Sequence, residues 1–149
     1  MKQQFYLLVK ASALMLTVIC LQSFFHKGGD YYKVLLNGKM MAEQYLTKPV
    51  SLKTMSLNAA NRNDQLTVYY SHCGQAGKSR TITLKTGEGK ILKEWKFADS
   101  KSLEMGLPVR EVLQASAKVN AASVYYASRE IPSGRQLINL NLSTALAGK

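Results

Sequence analysis

Apolar and polar residues alternate along most of this chain in short runs closed by turn residues, the period-two pattern of half-buried β-strands. Residues 31–36 (YYKVLL) and 39–46 (KMMAEQYL) flank Asn37-Gly38. Both turn residues tolerate positive φ, so the segment predicts a two-residue hairpin. Pro49 breaks the chain, and residues 50–57 (VSLKTMSL) alternate again, with Val50, Leu52 and Thr54 expected on one face. A polar loop over 58–64 leads to residues 65–73 (QLTVYYSHC). There Leu66, Val68, Tyr70 and His72 share one face, and Thr67, Tyr69, Ser71 and Cys73 the other.

The second half continues in the same way. Residues 79–85 (SRTITLK) and 90–97 (KILKEWKF) flank a Thr-Gly-Glu-Gly turn and predict a second hairpin with Ile91, Trp95 and Phe97 on one face. Lys93 lies between them and can lay its stem along the core edge. A short strand over 103–107 precedes the one helical turn, residues 108–114 (PVREVLQ), with Val109, Val112 and Leu113 on its apolar side. Strands over 123–130 and 135–142 follow, joined at Pro132-Ser-Gly134.

This pattern predicts an all-β domain, a single antiparallel β-sandwich of about eight strands with one short helical turn. A closed barrel is the alternative. Leu66, Val68, Tyr70, Ile82, Leu84, Trp95, Val124, Tyr126, Ile138 and Leu140 are the expected core. The chain also echoes itself. Residues 38–46 align with 89–97, Val68-Tyr-Tyr-Ser71 with Val124-Tyr-Tyr-Ala127, and Ile82 and Leu84 with Ile138 and Leu140. An internal duplication is one explanation and chance β composition the other.

The first 25 residues, MKQQFYLLVKASALMLTVICLQSFF, break the alternation. Lys2 and Lys10 give a positive start, and residues 11–21 form an uncharged apolar run. That run suits an export signal and is short for a membrane span, which takes about 20 apolar residues. The reading is a signal peptide over 1–25, cleaved between about residues 20 and 29, a linker over 26–30, the folded domain over 31–142 and a flexible tail over 143–149. An uncleaved N-terminal anchor is the runner-up. The expected location is the periplasm or the medium, or the membrane if the segment stays.

Charge narrows the partners. Twenty Lys and Arg against nine Asp and Glu give +11, and removing Lys2 and Lys10 with the leader lowers this to +9. Such a chain is drawn to anionic surfaces. No run of five or six basic residues occurs, so no specific nucleic acid is predicted. An envelope protein, a glycan or an anionic surface is the expected partner. Arg80, Lys93, Lys96 and Trp95 in the second hairpin are the candidate binding residues, acting by charge and stacking. The lysines there fall on both faces, which also suits a solubilised edge hairpin.

Residues 71–74 (SHCG) hold the one cluster of reactive groups. His72 and Cys73 form a candidate reactive pair, but neighbours on a strand point to opposite faces. Alternating with Tyr69 and Ser71, Cys73 is expected to be a small buried hydrophobe. With Cys20 gone in the leader it has no intrachain disulfide partner. Two histidines, one of them in the linker, cannot furnish a zinc or blue-copper site. No metal and no cofactor is predicted. No paired carboxylates, phosphate loop or nucleophile elbow appears, which argues against an enzyme.

The pieces NGK, VSLKTMSL, NDQLTVYYSHCG, SRTITL, GKILKEWKFAD, YYAS and EIPSGR together resemble small exported bacterial proteins of unknown function, predicted as β-sandwiches. The resemblance spans residues 31–142, and residues 63–74 are its most distinctive part. It implies location and fold and supplies no activity. The expected function is a non-enzymatic exported binding module of the cell envelope. The alternatives are a thiol-dependent enzyme or redox protein using Cys73, and a membrane-anchored structural protein.

Overall fold

A computed structural model describes residues 29–47 and 49–143. The expected leader, the first part of the linker and the tail after Ser143 lie outside the described residues. Nine strands and one helix follow in order: β1 (Tyr31–Leu36), β2 (Lys39–Tyr45), β3 (Lys53–Asn58), β4 (Gln65–Ser71), β5 (Arg80–Lys85), β6 (Ile91–Phe97), β7 (Glu104–Pro108), α1 (Val109–Ala115), β8 (Ala121–Ala127) and β9 (Arg135–Ser143). A 3₁₀ turn at Ala59–Asn61 follows β3, capped by the Asn58 side chain on the Ala60 N–H.

The strands form two sheets, β2-β1-β4-β7 and β3-β9-β8-β5-β6. The four-stranded sheet is antiparallel throughout. The five-stranded sheet is mixed, because β3 runs parallel to β9. That corrects the expected all-antiparallel arrangement, and the ninth strand exceeds the expected eight. Parallel pairing needs a long crossover rather than a turn, so it leaves no local mark in the sequence.

Both sheets contribute to one buried cluster. Val34, Leu66, Val68, Tyr70, Met105 and Leu107 come from the first sheet, and Leu57, Ile82, Leu84, Val124, Tyr126 and Ile138 from the second. Every expected core residue is buried except Trp95, which packs half-buried against the cluster from edge strand β6. The Asn37-Gly38 hairpin forms as expected, with φ of 48° and 77°.

Two face assignments are corrected. Val50 and Leu52 are exposed and precede β3, whereas Met55 and Leu57 point inward. Pairing of Met55 with Leu140 and Leu57 with Leu142 sets that parity. Ile91 does not share the face of Trp95. Leu84 pairs with Lys93 and Lys85 with Ile91, so Leu92 is an extra residue on β6. This bulge turns Ile91 out to 57% exposure and packs Leu92 against the core.

The two halves share one wiring. β1 and β2 form a hairpin in the first sheet, β3 crosses to the second, and β4 returns to pair with β1. Likewise β5 and β6 form a hairpin in the second sheet, β7 crosses to the first, and β8 returns to pair with β5. The registers correspond as well. Val34 pairs with Ala42 and Val68, and its counterpart Leu84 pairs with Lys93 and Val124. Met41 is skipped in the first hairpin as Leu92 is in the second. The turn after β4 closes with reciprocal backbone bonds between His72 and Gln75, and the turn after β8 with those between Ser128 and Ile131. The halves differ in that β9 lies between β8 and β3, while β7 pairs directly with β4.

Candidate functional site

Polar groups converge where the strand ends of the two halves meet. Tyr70 on β4 and Tyr126 on β8 stack at 4.0 Å between ring centroids, 12° from parallel. Both are fully buried, so each ring must find a partner for its hydroxyl. His72, one residue past β4, supplies the partner for Tyr126. Its Nδ1 lies 3.1 Å from the Asp30 carboxylate, and its Nε2 lies 3.0 Å from the Tyr126 hydroxyl and 3.2 Å from Ser128 Oγ. A carboxylate only accepts, so Nδ1 carries the proton, and in the neutral imidazole Nε2 then accepts from the Tyr126 hydroxyl. Tyr32, also buried, donates instead to the Leu137 carbonyl at 2.8 Å, tying the two sheets together.

Burial pushes the Tyr70 hydroxyl well above the usual tyrosine range and raises that of Tyr126. Burial also pushes the nearby Glu130 carboxyl up. Hydrogen bonds from Ser128 and from the Lys78 N–H outweigh it and hold that carboxyl below its ordinary value. Gly77 closes the cluster: a Cβ there would collide with the Tyr126 hydroxyl.

The Asp–His–Ser order has the outline of a nucleophilic triad. The surroundings do not suit that chemistry. Ser128 is only 5% exposed, and Tyr126 shares the imidazole nitrogen that would have to take the serine proton. The Glu130 carboxylate lies 4.0 Å from the same nitrogen and would repel a developing oxyanion. The cluster is a fully bonded clasp joining the start of β1, the end of β4 and the end of β8.

Cys73 is exposed, contrary to its expected burial. The chain leaves β4 at Ser71, and Cys73 takes a positive φ of 52° in the following turn, so the strand alternation no longer governs it. Its thiol faces Asp30 Oδ1 at 3.9 Å, a carboxylate rather than the cation that activates catalytic thiols. A shallow depression of about 350 Å³ lies beside it, lined by Gly74, Gln75, Ala76, Ser100 and Lys101. His72 and Cys73 thus diverge, one into the clasp and one outward. Among the described residues no three His, Cys, Asp or Glu side chains gather as metal ligands.

Of the four candidate binding residues, the structure brings Lys93 and Trp95 together and sets Arg80 and Lys96 apart from them. Arg80 is 2% exposed and donates to the carbonyls of Ser102 and Ala98 and to Ser100 Oγ, so it organises the β6–β7 connection from within. Trp95 donates from its indole to Glu111 on α1 at 2.8 Å. Lys93 pairs with the same carboxylate at 2.8 Å and lies 5.3 Å from the Trp95 ring centre. These bonds hold the Glu111 carboxyl below its usual range, the Lys93 bond most strongly. Lys96 projects from the opposite side of β6 and reaches Glu94 at 3.8 Å.

A polar row crosses the outer face of the five-stranded sheet. Strand pairing lines up Thr54 (β3), Asn139 (β9), Ser123 (β8), Lys85 (β5) and Ile91 (β6) side by side. Ser123 Oγ and Gln136 Nε2 both donate to Asn139 Oδ1, at 2.9 and 2.6 Å, and Tyr125 donates to Gln136 Oε1 at 3.0 Å. A second shallow depression of about 350 Å³ opens here, lined by Thr54, Gly87, Ala121, Ser123, Asn139 and Asn141 among others. The sequence reading missed this face because its polar residues lie on four separate strands. The clasp escapes a sequence reading for a related reason: Asp30 lies in what reads as a linker. The one available signal was the alignment of residues 68–71 with 124–127, which extends to set His72 opposite Ser128.

No protein-family model matches the chain, and no curated protein matches it.

Proposed function

We propose that the protein is an exported, non-enzymatic β-sandwich, built by internal duplication, that serves as a binding module of the cell envelope through the outer face of its five-stranded sheet. The observation that carries this reading is the bonded set Tyr125, Gln136, Ser123 and Asn139 beside the depression on that face. Side chains that hold one another in place present polar groups at low entropic cost, which is what a preorganised binding surface requires. The charged start and short apolar run of residues 1–25 support export. The matching registers of the two halves support duplication. The self-contained bonding of the His72 clasp speaks against catalysis there.

The test uses full-length protein made in an exporting host and recovered from periplasm and medium. Intact mass should show a chain shortened at its N-terminus. A full-length mass confined to the membrane fraction would favour the anchor. The recovered protein should co-sediment with isolated envelope fractions, and Asn139→Ala should weaken this about tenfold, as expected for a hydrogen-bonding group at a binding site. Absence of binding to any fraction would overturn the module reading.

The exposure of Cys73 beside the Gly74–Lys101 depression favours one second reading, a thiol-dependent activity. Under it, alkylating Cys73 abolishes function while Asn139→Ala leaves it intact.

A further inference from the structure

We infer that the polar row across the five-stranded sheet takes an acidic glycan, laid across the strands with its charge against Lys85. The inference rests on the proposal that this face is the binding surface and names its ligand class.

The row supplies the groups a glycan needs. Thr54 offers a hydroxyl and Asn139 an amide on adjacent strands, and the buried Ser123 next to them holds Asn139 in place. Neighbouring strands lie ~4.8 Å apart, so the three gaps from β3 to β5 span about 14 Å, the reach of a short oligosaccharide. The described bonds to Asn139 use its oxygen, which leaves its Nδ2 group to donate to a ligand. Asn141 lies beside it, exposed, in the same depression.

Charge selects the acidic class. Lys33, Lys93 and Lys96 are each paired with a glutamate. Lys85 instead lies 4.6 Å from the Tyr125 ring centre and, among the described residues, has no carboxylate partner. A cation held over an aromatic ring at the end of a polar row is placed to meet a ligand carboxylate. No acidic side chain belongs to the row, and the chain as a whole carries +11. A neutral glycan would leave Lys85 unused, and a flat lipid surface would not need the amides.

The experiment titrates the full chain with alginate oligosaccharides, with dextran oligosaccharides of equal length and with phosphatidylglycerol vesicles. Alginate should bind, and its affinity should fall as salt rises. Lys85→Gln and Asn141→Asp should each weaken alginate binding about tenfold while the circular dichroism spectrum is unchanged. Asn141→Asp removes no volume and places a repelling charge in the depression beside the row. Equal binding of dextran and alginate would overturn the acidic class yet leave the face as a binding surface. Alginate binding unmoved by both substitutions would overturn the face. Binding of vesicles alone would overturn the inference in favour of a membrane surface, and failure to bind any envelope fraction would sink the underlying module reading instead.

Discussion

His72 and Ser128 occupy the same position in the two halves and meet across the seam, Nε2 to Oγ at 3.2 Å. Each follows its stacked tyrosine by two residues and opens the same backbone-bonded turn. Two serines at this point would leave Asp30 without its imidazole donor. Two histidines would crowd the space that Gly77 borders. The unlike pair satisfies the carboxylate and the Tyr126 hydroxyl together.

The clasp should therefore respond unequally to its members. Tyr126→Phe removes one hydroxyl donor and should cost about 1 kcal/mol, whereas His72→Ala takes the imidazole from both Asp30 and the Tyr126 hydroxyl and should cost about 2–3 kcal/mol. Urea unfolding of the two variants compares them. A His72→Ala loss no larger than that of Tyr126→Phe would mean the imidazole does not organise the seam. Gly77→Ala should lower the midpoint too, since its Cβ meets the Tyr126 hydroxyl.

Acid should destabilise the protein through Glu130 and Glu111, whose folded carboxyls lie below their ordinary 4.5. Between the folded and unfolded values the unfolded chain binds more protons, so stability rises with pH there. The contribution is complete above the unfolded value and is lost as pH falls through the folded ones. Glu130→Gln should flatten urea midpoints measured from about pH 3 to 6. An unchanged acid limb in that variant would remove Glu130 from the account.

Cys73 should alkylate in the native protein nearly as fast as in urea, since it is exposed in a turn. Cys73→Ser should shift stability by less than about 0.5 kcal/mol, as surface changes do. Labelling that accelerates strongly only on unfolding would contradict the exposed position.

Trp95, the single tryptophan, packs on an edge strand. Trp95→Ala should cost about 2 kcal/mol, short of the 3–5 of an enclosed ring. Trp95→Phe should recover all but about 1 kcal/mol, the share of the indole bond to Glu111. A full loss in Trp95→Phe would show that the hydrogen bond, not the ring, secures β6 to α1.

The hairpins were legible because their signals are local: Asn37-Gly38 admits positive φ at both positions, and the Thr86–Lys90 turn closes on itself. The alternation of Leu66, Val68 and Tyr70 likewise named the core face of β4. Local signals failed wherever a distant partner decides. Met55 and Leu57 lie inside because β9 pairs with β3, and nothing near residue 55 reports this. Ile91 flips because Leu92 bulges against β5. Arg80 reads as a surface cation, yet the carbonyls of Ala98 and Ser102 enclose it. The candidate face was the least legible of all, because a row across strands exists only once the register is set.

The parallel pairing of β3 with β9 also sets an order of events during folding. The four-stranded sheet is complete once β7 is in place, but the other sheet cannot close until the last strand is made. Until then Met55 and Leu57 carry apolar side chains on a strand with no ladder to join. Contacts so distant in sequence form slowly, because the loop entropy is spent before the contact rewards it. β9 therefore acts as a latch. A chain cut before Arg135 would lose Leu137, Ile138, Leu140 and Leu142 from the core and expose the edge of β8 to pairing with another chain.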